Sequence, residues 1–190
     1  MTLPELLDLL ASMASESSEE TAGLSDLDHG LQCAFELARA RPDDPELQLA
    51  GLVHDIGHRF GPDEDHGVLG AQRVRDLLGD RVAGLVEAHV PAKRYLVTTD
   101  ASYRSQLSAE STRTLAVQGG VLGADELSSF MSCRYAADAL ELRRADDAAK
   151  VPGRSVTTLD HWVPVLREVA DTTAVGPRRE ADPAAGESPR

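Results

Sequence analysis

Helical periodicity recurs along the chain, whereas alternation of apolar and polar residues at the period of a β-strand does not extend over any appreciable length. The first helical stripe spans residues 3–13, where apolar side chains recur at three- and four-residue steps. Two further helix starts are marked, one by Ser25 as an N-cap and one by Asp44 followed by Pro45 at the first helical position. The chain is therefore predicted to be all-α.

The same pattern predicts where the elements end. The helix that starts at Pro45 is expected to continue to about Phe60, where the turn sequence GPDED follows. A helix over residues 81–94 is expected to be interrupted at Pro91, and residues 96–106 are predicted to be irregular. The other helical segments are expected over residues 65–78, 108–117, 124–130, 133–150 and 162–169.

Three parts follow from this division. Residues 1–24 are predicted to form an N-terminal helix and a polar loop, and residues 25–170 a single folded domain. From Asp171 onward the chain is rich in Pro, Arg, Asp and Ala and has no periodicity. Residues 171–190 are therefore predicted to be a disordered tail.

Composition excludes several classes of partner. The net charge of −13 repels nucleic acid phosphates, so no nucleic acid partner is expected. No apolar run approaches the roughly 20 residues that a membrane span requires, so no membrane association is expected. Cys33 and Cys133 are isolated and do not suggest a disulfide framework. We expect a cytoplasmic protein that is a monomer or a small homo-oligomer.

Histidines are concentrated where chemistry is expected. In the stretch GLVHDIGHRF, His54 and His58 are four residues apart and would share one face of a helix, with Asp55 beside them. A lone histidine on an apolar face is most often a hydrogen-bonded core residue. Here five of the six histidines lie on predicted helices or at their starts, beside apolar residues. Imidazole and carboxylate together suit iron, manganese or zinc, so the pattern favours a metal centre.

Four sequence stretches, taken in order, resemble the HD-domain mixed-valent di-iron oxygenases that cleave carbon–phosphorus bonds in organophosphonates. They are HDIGH with the downstream His66, HVPAKRYL, LSAESTRTLAVQGG and LRRADDAAKVPG. The spacing adds specificity, since Lys93 follows His89 by four residues and Arg143 precedes Asp146 by three. The resemblance covers residues 27–153 and implies that residues 25–170 form an HD domain.

The resemblance also implies a set of metal ligands. His29, His54 and Asp146 would bind one iron, His66 and His89 would bind the other, and Asp55 would bridge the two ions. A bridging anion is what two neighbouring cations need to offset their repulsion. Asp138 competes with Asp146 as the late aspartate, and Asp146 is preferred because RRADD matches the family motif.

A second set of residues resembles the family's phosphonate-binding site. A dianion in a cleft requires fixed cations and hydroxyl donors, and this set supplies both. The resemblance also implies a catalytic role for Asp55 and His58. The substrate-binding set is His58, Lys93, Ser111, Thr114 and Arg143.

The implied activity is that of an Fe(II)/Fe(III) di-iron oxygenase. It would use O2 to cleave the carbon–phosphorus bond of a small 1-hydroxyalkylphosphonate of the 2-amino or 2-trimethylammonio type, releasing phosphate and a carboxylate. Two alternatives remain open at this point: an HD-type metal-dependent phosphohydrolase, and a non-catalytic ligand sensor of the same fold. His66 and His89 favour a second metal, and the six-ligand set argues against a sensor.

The chain departs from the family ahead of His29. Where the phosphonate-cleaving members carry a tyrosine and a glutamate, this chain has Glu19 and Ala22. The residue that would bind the cationic end of a substrate is therefore left open. A quaternary ammonium group requires an aromatic cage, for which the candidates are Tyr95, Tyr103, Tyr135 and Trp162.

Overall fold

The computed structural model describes residues 1–15 and 23–176. Within these two ranges the chain forms nine α-helices and no β-strand, which confirms the all-α prediction. Two short 3₁₀ turns, Met13–Ser15 and Ile56–Arg59, follow the first and third helices. The helices are α1 (Leu3–Ser12), α2 (Asp26–Ala40), α3 (Pro45–Val53), α4 (His66–Thr99), α5 (Ala101–Ser105), α6 (Ala109–Val117), α7 (Ala124–Ser132), α8 (Ala136–Ala148) and α9 (Leu159–Val175).

Helices α2, α3, α4 and α8 pack against one another and form the centre of the fold. Helix α9 lies against α1, α3 and α4, and α7 packs on α4 and α8. The core between them is aliphatic, with Leu37, Leu47, Leu85 and Leu142 almost fully buried. All the candidate metal ligands lie on these four helices or on the turns beside them. The packing of the core therefore sets the distances between the ligands.

Two helices start at the N-caps that were predicted from the sequence. The Ser25 hydroxyl accepts a hydrogen bond from the Asp28 amide (3.0 Å), and the Asp44 carboxylate accepts one from the Leu47 amide (3.2 Å). Both caps satisfy amides that the first turn of a helix leaves without intrahelical partners. These two caps set the starts of α2 and α3, the first of which carries His29.

The predicted end of the third helix was wrong. Helix α3 ends at Val53, so His54 and Asp55 lie in a turn and His58 lies in the 3₁₀ turn that follows. The Gly51 carbonyl, which a continuing helix would use for the Asp55 amide, accepts a hydrogen bond from the His54 ring instead (2.8 Å). His54 and His58 therefore do not share one face of an α-helix, and the tighter turn sets their relative orientation.

Gly57 brings this turn into contact with the start of α4. A Cβ atom at Gly57 would lie 1.8 Å from the His66 carbonyl oxygen, so no larger residue fits without moving the backbone. We expect Gly57→Ala to lower the free energy of unfolding by about 1–3 kcal/mol, the usual cost of overpacking, and to weaken metal binding through His66. Urea unfolding and metal analysis measure both effects.

Gly123→Ala is the control for this prediction, because a Cβ atom there would meet nothing nearer than 3.7 Å. If Gly57→Ala matched the wild type in both stability and metal content, the turn would not depend on this close approach.

Helix α4 is longer than the sequence indicated. It is broken at Gly79 (φ 88°), between the two helices expected there, but it continues through Pro91 to Thr99. The predicted interruption at Pro91 and the predicted irregularity of residues 96–106 were therefore wrong. Ala92 and Leu96 are buried beyond the proline, and their packing outweighs the roughly 3 kcal/mol that proline costs inside a helix.

The C-terminal helix also extends past its expected end. Helix α9 continues to Val175, so residues 171–175 are helical instead of belonging to a disordered tail. Residues 177–190 of the predicted tail lie outside the described residues, as do residues 16–22 with Glu19 and Ala22. No helix within the described ranges combines the length and the apolarity needed to cross a bilayer.

Candidate metal centre

The six residues expected to bind metal lie together beside a cavity of about 650 Å³. Helix α2 contributes one histidine, the turn after α3 contributes a histidine and an aspartate, α4 contributes two histidines, and α8 contributes the second aspartate. Three of the four imidazoles are almost completely buried. The six residues are His29, His54, Asp55, His66, His89 and Asp146.

Each imidazole is oriented by the main chain. The Nδ1 atom of every one of the four rings donates to a backbone carbonyl, so that in the neutral, metal-binding form of each ring the lone pair is on Nε2. All four Nε2 atoms are thereby available as metal ligands. The pairs are His29 with Ala149 (3.3 Å), His54 with Gly51 (2.8 Å), His66 with Asp63 (2.6 Å) and His89 with Val86 (2.5 Å).

Asp55 lies between two pairs of histidines. Its Oδ2 atom is 3.5 Å from His29 Nε2 and 3.2 Å from His54 Nε2. Its Oδ1 atom is 3.5 Å from His66 Nε2 and 3.7 Å from His89 Nε2. One carboxylate therefore presents a separate oxygen to each pair, as a bridging ligand would.

The second aspartate belongs to the first pair only. Asp146 Oδ1 lies 3.1 Å from His29 Nε2 and 3.8 Å from His54 Nε2. Asp138, the alternative considered for this position, pairs instead with Arg81 (2.8 Å). The geometry therefore places Asp146, and not Asp138, beside His29 and His54.

These residues fit a pair of metal ions. His54 Nε2 is buried and makes no well-aligned hydrogen bond, although Asp55 Oδ2 lies 3.2 Å away, and this is costly for a polar atom unless a cation occupies the space in front of it. His66 Nε2 and His89 Nε2 lie 2.9 Å apart although both Nδ1 atoms already carry their protons. Two facing lone pairs at this distance repel each other, and a shared cation removes the repulsion. Four imidazole nitrogens and two carboxylates form a donor set that iron, manganese or zinc accepts.

Proton affinities differ between the two pairs. Burial lowers the pKa of His54, but Asp55 and Asp146 outweigh it and raise this pKa to about 10. Burial and the neighbouring His66 and His54 hold the pKa of His89 well below its ordinary value. Metal ligands must be deprotonated, so metal binding at the first pair is expected to release a proton from His54 near neutral pH.

Cations line the cavity beside the metal centre. Burial, followed by the charge of Arg143, lowers the pKa of Lys93 to about 8. The Lys93 ammonium donates to Thr114 Oγ1 (2.9 Å), and both Arg143 (3.3 Å) and Lys150 (3.2 Å) donate to Ser111 Oγ. Together these side chains form a wall with three cationic groups in a protein whose net charge is −13.

His58 completes the cavity. Its ring stacks on that of His66, with the centroids 4.1 Å apart and the planes 10° apart. Its Nε2 atom lies 3.8 Å from Asp55 Oδ1 and its Nδ1 atom lies 3.1 Å from Asp63 Oδ1. His58 therefore stands beside the proposed bridging carboxylate.

Comparison with known proteins identifies the family. The family model described as "HD domain" matches residues 23–141. Over 150 residues the chain is 35% identical to hydroxymethylphosphonate dioxygenase of Gimesia maris, covering 73% of this chain and 74% of the relative. The chain belongs to the HD-domain oxygenase family. The predicted HD fold and the predicted oxygenase class are thereby confirmed.

Two further relatives of this HD-domain oxygenase cover a similar share of the chain. It is 29% identical over 154 residues to [1-hydroxy-2-(trimethylamino)ethyl]phosphonate dioxygenase (glycine-betaine-forming) of Leisingera caerulea, with 76% of this chain and 78% of the relative aligned. It is 31% identical over 148 residues to an uncharacterised protein of Acanthamoeba polyphaga mimivirus, with 72% and 67% aligned.

The oxygenase also contains site residues that were not predicted from its sequence. Lys150 donates to Asp146 (3.2 Å) as well as to Ser111, and the Tyr103 hydroxyl accepts from Arg143 Nε (2.9 Å). The position of Lys150, four residues after Asp146, was the available signal. Tyr103 was considered only for an aromatic cage, and no spacing rule pointed to its contact with Arg143.

Arg143 has more partners than an anion-binding role alone would require. Its NH1 atom lies 2.6 Å from Asp146 Oδ2, and its other donors contact Tyr103, Asp147 and Ser111. The guanidinium therefore orients the candidate ligand Asp146 in addition to facing the cavity.

The aromatic residues considered for a quaternary ammonium cage lie elsewhere. Tyr95 packs on Phe130 (5.0 Å between centroids), Trp162 is buried in the core, and Tyr135 packs against Gly84. None of them, nor Tyr103, is among the described residues that line the cavity. The described part of the cavity therefore contains no aromatic cage.

Proposed function

We propose that this HD-domain oxygenase uses O2 to cleave the carbon–phosphorus bond of a small 1-hydroxyalkylphosphonate, releasing phosphate and a carboxylate. The observation that carries the proposal is the position of Asp55, which presents one oxygen to each of two histidine pairs beside a cavity lined with cations. The names of two relatives, both phosphonate dioxygenases, support the same substrate class.

Two iron ions, as an Fe(II)/Fe(III) pair, are the proposed cofactor. His29, His54 and Asp146 would hold one ion, His66 and His89 the other, and Asp55 both. When bound, iron would supply the activation of dioxygen and the oxidation at C1, which amino-acid side chains cannot carry out alone. Oxidation at C1 matters because direct attack of hydroxide on phosphorus would have to expel a poor carbanion leaving group.

The chain's own residues would bind and orient the substrate. Lys93 retains N–H donors beyond the one that Thr114 Oγ1 accepts, and these can reach phosphonate oxygens. Lys150 and Ser111 extend the same wall, and His58 Nε2 lies on the opposite side, next to Asp55, where it can accept a hydrogen bond from the substrate hydroxyl or from a protonated phosphonate oxygen. Held between them, the phosphonate would direct C1 and its hydroxyl toward the metal centre.

Burial of the centre would protect the reaction. His54, His66 and His89 are at most 3% exposed, so bulk water has little access to their Nε2 atoms. A site closed in this way strengthens electrostatic contacts to the substrate and suppresses side reactions.

The substituent on C2 is the finer part of the proposal. The sequence resemblance implies a 2-amino or 2-trimethylammonio group, whereas the cavity has no aromatic cage among its described residues. A test panel therefore includes hydroxymethylphosphonate, which has no C2, beside 1-hydroxy-2-aminoethylphosphonate and its trimethylammonio analogue.

The reaction class is tested by its need for oxygen. We expect iron-loaded enzyme to release phosphate from at least one compound of the panel in air and to release none under strict anaerobiosis. One O2 should be consumed for each phosphate, because both oxygen atoms are needed to balance the products. Phosphate release and oxygen uptake are measured together, with 4-nitrophenyl phosphate as a hydrolysis control. Equal phosphate release without oxygen would favour the alternative, an HD-type metal-dependent phosphohydrolase.

A further inference from the structure

We propose that Asp63 is a positioning residue that joins His58 and helix α6 to the metal centre and so sets the geometry of phosphonate binding. The inference rests on the proposed function, because it assigns Asp63 to the substrate site of that activity. Asp63 lies in the loop between the 3₁₀ turn and α4 and was not among the residues predicted from the sequence.

Asp63 makes four contacts with site residues. Its Oδ1 atom is 3.1 Å from His58 Nδ1, and its Oδ2 atom accepts from Arg113 NH2 (3.0 Å). Its backbone carbonyl accepts from His66 Nδ1 (2.6 Å) and from Gln118 Nε2 (3.4 Å). One residue thus contacts two imidazoles of the site, the middle of α6 and the residue that caps its C-terminal end.

The contact with His58 decides which nitrogen faces the cavity. A carboxylate opposite Nδ1 requires a proton on that nitrogen, so Nε2 is the atom presented beside Asp55. Stacking on His66 fixes the plane of the ring, but a half-turn about the Cβ–Cγ bond would keep that plane and exchange the two ring edges. The Asp63 carboxylate selects one of these two orientations and so places the Nε2 lone pair of His58 beside the cavity, where it can accept a hydrogen bond from the substrate hydroxyl or from a protonated phosphonate oxygen.

The contacts with α6 decide where two hydroxyl groups of the anion site lie. Ser111 and Thr114 are on α6, and they are the partners of Arg143 and Lys93. Arg113 and Gln118 tie the same helix to Asp63. Loss of the Asp63 side chain therefore releases one of these ties and lets the hydroxyl groups shift relative to the metal centre.

Charge and exposure indicate that this role is geometric. The Arg113 guanidinium beside Asp63 lowers the pKa of that carboxyl, so Asp63 is ionised at neutral pH. The side chains of Arg113 and Asp63 are 58% and 38% exposed, and exposed ion pairs contribute little to stability. Variants at position 63 should therefore fold normally.

The test compares Asp63→Ala and Asp63→Asn with Glu64→Gln, which removes one charge from an exposed neighbour in the same loop. In Asp63→Ala we expect KM for the phosphonate to rise about 10- to 100-fold, the usual cost of losing an outer-shell partner, with a smaller change in kcat. Bound iron should change little, because the backbone carbonyl that holds His66 survives the substitution. Asp63→Asn keeps an acceptor for His58 Nδ1 and should recover much of the loss, whereas Glu64→Gln should match the wild type.

Binding of hydroxymethylphosphonate under anaerobic conditions, measured by calorimetry, separates this inference from the proposed function. Weaker binding in Asp63→Ala than in the wild type supports the positioning role even if no compound is turned over in air. Wild-type binding and KM in Asp63→Ala, or an equal loss in Glu64→Gln, would overturn it while leaving the proposed function intact. Failure of Asp63→Asn to improve on Asp63→Ala would also overturn it.

Discussion

Replacing Asp55 with alanine is expected to lower turnover more than about 100-fold and to reduce bound iron. This loss exceeds the 10- to 100-fold cost of removing an outer-shell partner, because Asp55 faces both histidine pairs directly. Without the carboxylate, two cations held by the remaining residues would repel each other with no anion between them. Iron content by metal analysis and turnover by phosphate release measure the two losses separately.

Asp138→Ala is the matched control for this experiment. Asp138 was the competing candidate in the sequence, but it pairs with Arg81 away from the centre. The Asp138→Ala variant should therefore retain both iron and activity. Full iron content and turnover in Asp55→Ala would refute the bridging role, and full activity of an iron-free protein with a single zinc would refute the di-iron centre.

Replacing Lys93 with methionine is expected to raise KM for the phosphonate about 10-fold to more than 100-fold while leaving iron content nearly unchanged. A charge-assisted hydrogen bond to a buried anion is worth roughly 1.5–3 kcal/mol, which gives this range. Methionine keeps most of the buried volume of Lys93, which is 3% exposed, so the packing of α4 should survive. Arg104→Met, which removes one positive charge from the exposed surface of α5, should leave KM unchanged.

The pH dependence of kcat/KM gives a second measurement on Lys93. Its pKa of about 8 means that the side chain is mainly charged below pH 8 and loses its proton above it. Since only the ammonium form attracts the anion, kcat/KM of the wild type should fall as pH rises through about 8. In Lys93→Met this fall should be absent. An identical fall in both proteins would assign it to another group.

The residues of the site were easier to predict from the sequence than their arrangement in space. The resemblance to a known family, carried by the order of the motifs, was sufficient to group His29, His54, Asp55, His66 and His89, whereas residue types alone favoured a metal centre without defining its ligands. The local path was not predictable in the same way. Periodicity extends a helix through His54 and His58, whereas the contacts that accompany the tight turn, the His54 ring with the Gly51 carbonyl and Gly57 with the start of α4, have no sequence signature.

Contacts between residues far apart in the sequence could not be predicted either. Asp63 meets Arg113 across 50 positions, and Tyr103 meets Arg143 across 40. Neither pair has a spacing rule, so neither could be read from one chain. Pro91 illustrates the same limit, since a local rule predicted a break that burial of the following turn prevents.

The carbonyl groups that hold the four imidazoles belong to the main chain, and this affects how the protein can evolve. Ala149, Gly51, Asp63 and Val86 each supply an oxygen that every amino acid has. A point mutation at any of these positions therefore leaves the acceptor in place, provided that the backbone keeps its path. Selection on the ring orientations therefore acts on the backbone course, whereas Gly51 and Asp63 are constrained for other reasons, since a Cβ atom at Gly51 would lie 2.6 Å from Leu37 Cδ1 and the Asp63 carboxylate contacts His58. Lineages can consequently exchange much of the surrounding sequence while inheriting the same centre.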